Sequence, residues 1–122
     1  MTRWRQQSVV AFACLGAAVG VLGAASARGQ GQIREFAVTG NDFTFAPARL
    51  EVQKDDLVKI TFTASDMPHS FTLDNYRIAK RAGAGQSVTF EFRADQAGTH
   101  QFYCNLTQDD RCRNMRGQLV VR

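Results

Sequence analysis

The chain predicts an all-β fold, a Greek-key sandwich of seven to eight strands in a single domain. Three observations carry that expectation. From Ile33 onward apolar residues recur at every second position, and no stretch holds a helical stripe of useful length. Turn-forming residues interrupt these runs about every ten residues, the spacing of a small sandwich. Beyond residue 27 lie eight of the nine phenylalanines, enough large side chains for one modest core.

The first 27 residues read as a secretory signal peptide. Arg3 and Arg5 make a positive start, Val9 to Gly23 is an uncharged apolar run, and Ala25-Ser26-Ala27 presents small residues for cleavage. The run from Ser8 to Ala27 spans 20 residues, so membrane contact is expected only through this segment if it is kept. Cleavage leaves 95 residues with 13 basic and 11 acidic side chains, a net charge of +2. That bias is too small for a nucleic-acid surface. Export to the periplasm or the exterior also implies an oxidising setting, where neighbouring thiols pair unless a metal or a partner holds them.

Residues 28–32 read as a flexible, Gly/Gln-rich lead and 33–122 as the domain. Phe36 and Val38 alternate with Ala37 and Thr39. Phe43 and Phe45 flank Thr44 until Pro47 breaks the run, and Leu50 and Val52 flank Glu51. After the Asp55-Asp56 turn, Val58, Ile60 and Phe62 oppose Lys59, Thr61 and Thr63, the clearest half-buried strand in the chain. His69, Phe71 and Leu73 share one parity. Asn75 to Gly85 is polar and glycine-bearing, and reads as irregular connection. Val88, Phe90 and Phe92 alternate cleanly, His100, Phe102 and Cys104 share a face, and Gly117 leads into a closing strand.

Three sulfur side chains fall within twelve residues: Cys104, Cys112 and Met115. Soft sulfur with one imidazole is the donor chemistry of copper(I) and copper–thiolate sites, and His69 is the natural imidazole. Two cysteines eight positions apart equally suit a small disulfide loop. In the chain-entropy picture such a nine-residue loop stabilises the fold by about 2.6 kcal/mol. Both readings stand at this point. His100 lies four residues before Cys104 on the same strand face. At about 3.3 Å per residue that is roughly 13 Å, too far to share its metal, so a core histidine is expected. Asp109, Asp110, Arg111, Arg113 and Arg116 read as a solvated loop that can also rim a site. No nucleophile elbow, paired-carboxylate signature or phosphate loop is present, and the chain does not read as an enzyme.

Gly98-Thr-His-Gln-Phe-Tyr-Cys104, the following loop to Met115-Arg-Gly117, the early Phe43-x-Phe45-x-Pro47-x-x-Leu50-x-Val52 and the central His69-Ser-Phe71 together resemble the cupredoxin family. The resemblance covers residues 33–122. It implies one copper ion at one end of the sandwich, with His69 as nitrogen ligand, Cys104 as thiolate, Met115 as thioether and Ser70 as a tie between the two ligand loops. It also implies electron transfer, as a monomer, with a redox protein or a copper donor as partner. The chain departs from the pattern in having no histidine between Cys104 and Met115. The binuclear copper loop of cytochrome oxidase subunit II has a second Cys four residues after the first, a His after eight and a Met after eleven. This chain has Gln108, Cys112 and Met115 there. Two bridging thiolates are therefore not expected, and Cys112 stands either as a fourth, sulfur ligand or as the disulfide partner of Cys104. With one nitrogen and three sulfurs the set is softer than a blue-copper site and suits copper(I), so copper(I) carriage is an alternative to electron transfer. A metal-free, disulfide-closed binding or structural module is the other.

Overall fold

A computed structural model describes residues 31–122. The expected signal peptide and most of the expected lead lie outside the described residues. Gln32, at the end of that lead, donates its amide to Asp56 Oδ1 at 2.9 Å.

Nine strands form two packed sheets. In chain order they are β1 (Ile33–Asn41), β2 (Thr44–Ala46), β3 (Arg49–Val52), β4 (Leu57–Ala64), β5 (His69–Leu73), β6 (Ile78–Ala82), β7 (Ser87–Arg93), β8 (Gly98–Tyr103) and β9 (Arg116–Val121). One sheet has the order β2-β1-β4-β7 and the other β3-β9-β8-β5-β6. The chain changes sheet repeatedly, which gives two parallel pairs, β1 with β4 and β3 with β9. Two short elements complete the fold, a 3-10 turn at Asp74–Tyr76 and a one-turn helix, α1, at Asp110–Arg113. No helix among the described residues is long and apolar enough to cross a membrane.

The period-two runs become the inner faces. β4 alternates strictly, with Val58, Ile60, Phe62 and Ala64 fully buried and the intervening side chains half-buried. Across its two ladders Ile60 faces Phe36 and Phe90. From the other sheet Leu50, Phe71, Leu73, Phe102 and Leu119 point inward. The phenylalanines meet as one cluster: Phe71 stacks on Phe102 with centroids 4.4 Å apart, and Phe45 meets Phe102 edge-on at 5.0 Å. Such pairs add about 0.5–1.5 kcal/mol beyond their buried area.

Two elements differ from the sequence reading. Ile78–Ala82 is a strand, not irregular connection. It pairs antiparallel with β5 at the sheet edge, where only one flank is hydrogen-bonded and Ala79, Lys80 and Arg81 face solvent. An exposed edge strand has no buried face to impose alternation, so its period is silent. The helix α1 is too short to show a stripe. Asp56, at the turn before β4, is buried. Burial alone would push its carboxyl up, but the Gln32 and Gln53 amides and the Arg34 guanidinium hold it below the usual range. That carboxylate fastens the start of β1 to the β3–β4 turn.

Candidate metal centre

His69 opens β5, Cys104 follows the last residue of β8, and Met115 precedes β9. β8 lies between β9 and β5 in the same sheet, so the ladder order brings these positions to one end of the sandwich. All of them are closed to solvent: His69 and Cys104 at 0%, Met115 at 1% and Cys112 at 3% exposed. The expected four residues are therefore all buried, with His69, Cys104 and Met115 at strand ends on one side of the sandwich.

The two ligand loops are tied through Ser70. Its hydroxyl accepts the Asn105 amide at 2.8 Å and donates to Asn105 Oδ1 at 2.7 Å. The Ser70 amide points at Cys104 Sγ, 3.4 Å away. Backbone bonds hold the rest of the loop: Cys104 donates to the Met115 carbonyl at 3.2 Å, and Met115 to that of Cys112 at 3.0 Å. Asp109 caps α1 by accepting the Arg111 amide at 2.9 Å, and its carboxyl, held by the Arg111 guanidinium and then by that amide, falls to about 2. Cys112 sits in this turn, with the Leu106 amide 3.2 Å from its sulfur.

Cys104 and Cys112 are joined as a disulfide, their Cα atoms 5.2 Å apart. Of the two readings left open by the sequence, this is the state of the cysteines here. Among the described residues no group of three or more His, Cys, Asp or Glu side chains is placed to hold a metal ion. The imidazole tells a different part of the story. Its Nε2 lies 2.8 Å from Asp66 Oδ1. A carboxylate accepts only, so Nε2 carries a proton, and in the neutral ring Nδ1 is left with the lone pair. Nδ1 is buried and has no hydrogen-bond partner among the described residues. An unsatisfied buried acceptor costs about 1–3 kcal/mol. A carboxylate-oriented imidazole with its other nitrogen bare is the arrangement of a metal ligand.

Sequence reasoning missed the residues that hold that ring. Asp66 also accepts the Asp42 amide at 2.8 Å and the Met67 amide at 2.8 Å. The Asp42 amide first, then His69 and Met67, hold its carboxyl below the ordinary value against the opposing effect of burial. Phe43 lies edge-on to the imidazole, centroids 5.6 Å apart, and the Arg111 guanidinium covers the Phe43 ring at 4.2 Å. Asp42 and Phe43 both take left-handed backbone, φ 52° and 58°, which is costly for a bulky residue. Gly40 makes room for the thioether: a Cβ there would lie 3.1 Å from Met115 Cε and from Phe62 Cζ. The carboxylate three residues before His69 was the one available signal, and nothing in its identity separates it from a solvated loop residue.

His100 is a core histidine, as expected. Its Nδ1 meets Asn75 Nδ2 at 2.7 Å and its Nε2 the Gln96 carbonyl at 2.8 Å, so both nitrogens are occupied.

The model of the cupredoxin-like domain matches residues 11–121 of this chain. The chain belongs to that family. Among solved structures, this cupredoxin-like protein is similar to the metal-binding domain of the Cu(I)-exporting P-type ATPase CopA of Streptococcus pneumoniae, determined with Cu(I). The identity is 18%, with 74% of this chain and 86% of that one covered and a TM-score of 0.62. Auracyanin A, a blue copper protein of Chloroflexus aurantiacus, matches at 18% identity over 74% and 99%, TM-score 0.62. The periplasmic domain of cytochrome oxidase subunit II of Bradyrhizobium japonicum matches at 14% over 73% and 83%, TM-score 0.65. At these identities the likeness is one of fold. No curated protein matches the chain. By their own descriptions the CopA domain was determined with Cu(I) and auracyanin A is a blue copper protein.

Proposed function

We propose that the reduced protein binds one copper ion through His69 Nδ1, Cys104 Sγ, Cys112 Sγ and the Met115 thioether, and that it carries copper(I). The observation that supports this reading is the bare, buried Nδ1 of a ring whose other nitrogen is fixed by Asp66. Cys104 supplies the strongest donor, its place set by the end of a core strand. Cys112 and Met115 ride on the loop, and the amides of Ser70 and Leu106 are aimed at the two cysteine sulfurs. One nitrogen with three sulfurs suits copper(I) and carriage better than electron transfer, the use that the family resemblance implies.

Export agrees with a cysteine pair that closes as a disulfide. The partner is a copper donor or a redox protein presenting an acidic face. Arg111 is neutralised by Asp109 at 2.7 Å, whereas Arg113 and Arg116, with Asp74 and Tyr103, line a cleft of about 420 Å3 whose floor covers the buried Cys104. The protein works as a binding module, not as an enzyme. A second reading, a metal-free module closed by its disulfide, is favoured by the bond itself.

Metal analysis after loading with copper(I) under reductant separates the two. One copper per chain is expected, abolished by Cys104→Ser and strongly weakened by His69→Ala, with Cys112→Ser weaker in effect. Reduced protein that takes up no copper leaves the disulfide-closed module as the account.

A further inference from the structure

The cysteine pair carries more chemistry than a ligand set needs. A thiolate bound to copper(II) transfers electron density to the metal, leaving radical character on sulfur. Where that thiolate is alone, the radical has no partner and the electron returns. Here a second sulfur stands within bonding reach. The Cys104 and Cys112 Cα atoms are 5.2 Å apart, inside the range of about 4.4–6.8 Å that a disulfide spans. The pair closes while the surrounding frame is intact. The β8–β9 ladder runs to its last pair, Tyr103 with Arg116, and the Cys104–Met115 and Met115–Cys112 backbone bonds are both made. Ser70 and Leu106 each aim an amide at one of the sulfurs, which helps fix where both lie.

We propose that the reduced protein is a stoichiometric copper(II) reductant, in which the Cys104–Cys112 dithiol converts two cupric ions to two cuprous ions and closes as the disulfide seen in the structure. The proposal rests on the reading that copper meets these sulfurs. Two S–H bonds break, one S–S bond forms, two protons go to solvent, and each copper(II) gains one electron. The first cupric ion oxidises one thiolate, the neighbouring sulfur adds to it, and the second cupric ion removes the remaining electron. Once the disulfide has closed neither sulfur is a thiolate, so both cuprous ions leave to an acceptor such as a copper(I) chelator. The consequence separates this domain from an electron-transfer site. A copper(II) form does not persist while both cysteines are present, and a protein that has reduced copper is closed until an external dithiol reopens it.

The test is anaerobic addition of two equivalents of copper(II) to fully reduced protein, with a chromogenic copper(I) chelator and a thiol count. Expected are two cuprous ions and loss of both thiols per chain, an intramolecular disulfide by mass, and no lasting visible absorption. Cys112→Ser, or Cys112→Ala if the serine variant folds poorly, should instead hold a lasting coloured copper(II)–thiolate. Wild-type protein that keeps a stable coloured copper(II) form, or that keeps both thiols, overturns the proposal. So does thiol loss in the Cys112 variant as fast as in wild type. A parallel arm with copper(I) alone reports on binding, so a failure of the copper(I) reading is seen separately from a failure of the reduction.

Discussion

Reducing the Cys104–Cys112 bond should destabilise the domain by an amount that copper(I) returns. The bond closes a nine-residue loop, eight positions from end to end. Opening it releases chain entropy in the unfolded state worth about 2.6 kcal/mol. For a domain of this size each kcal/mol moves the melting temperature by about 4–8 °C, so reduction should lower it by about 10–20 °C. A ligand at a free concentration of about 100 times its Kd stabilises the native state by about 2.7 kcal/mol. Buffered copper(I) at that level should therefore bring the reduced protein back to roughly the melting temperature of the oxidised one. Circular dichroism melts of oxidised, reduced and reduced copper(I)-loaded protein read all three. His69→Ala keeps both thiols and should lose most of the recovery, which distinguishes the folded site from thiols on the unfolded chain. Two results refute the reasoning: a melt unmoved by reduction, or a reduced melt that copper(I) leaves where it is.

Three further outcomes follow from the packing and the charges. Phe90→Ala should cost about 3–5 kcal/mol in a denaturant titration, nearer the low end because Phe90 is 8% exposed on the edge strand β7. A loss under about 1 kcal/mol would mean that its ring is not held against Phe71, 5.3 Å away. Gly117→Ala should destabilise by about 1–3 kcal/mol, since its new Cβ would run into the Phe102 ring and come within 2.8 Å of the Ala48 carbonyl; an unchanged midpoint would show that the ring yields freely. Asp66 has its carboxyl held below the ordinary 3.8, so its stabilising contribution is complete above that value and is lost as pH falls through the lowered one. Asp66→Asn should flatten that part of the acid limb in a pH series of unfolding midpoints, and an acid limb identical to wild type would remove Asp66 from the account.

The strands that can be read from sequence are those buried on one face only. β4 and β7 alternate because one side meets the core and the other meets solvent, and the same parity set Phe102 and Cys104 inward together. β6 escaped because, on the edge, Lys80 and Arg81 bear no pattern that binds them to a strand. β5 was legible in half. His69, Phe71 and Leu73 were expected inward, but Ser70 and Thr72 are buried too, Ser70 where it bonds Asn105 of the loop after β8. At the site, the placing of His69 and Cys104 at one end of the sandwich was legible, since strand ends fix where they must lie. What orients the imidazole was not. Asp66 acts through a loop whose shape depends on a left-handed turn at Asp42 and Phe43, 24 residues away from it in the chain, and residue identity does not encode that meeting.

The same limit explains why the choice between metal and disulfide could not be made from spacing. Two sulfurs that share one metal, each bonded to it at about 2.3 Å, sit only an ångström or two farther apart than two bonded sulfurs at about 2.05 Å. A loop that positions Cys112 for either one nearly positions it for the other. The two states are then alternatives separated by oxidation rather than by fold. The bare Nδ1 of His69 gives that statement its direction. A module evolved only around a disulfide gains nothing from a buried imidazole nitrogen left without a partner, at a cost of about 1–3 kcal/mol, beside the closed cysteines. A site that opens on reduction recovers that cost when the nitrogen meets a metal. On the proposed reading the disulfide and the orphaned nitrogen are two halves of one device, and the oxidised half is the one described here.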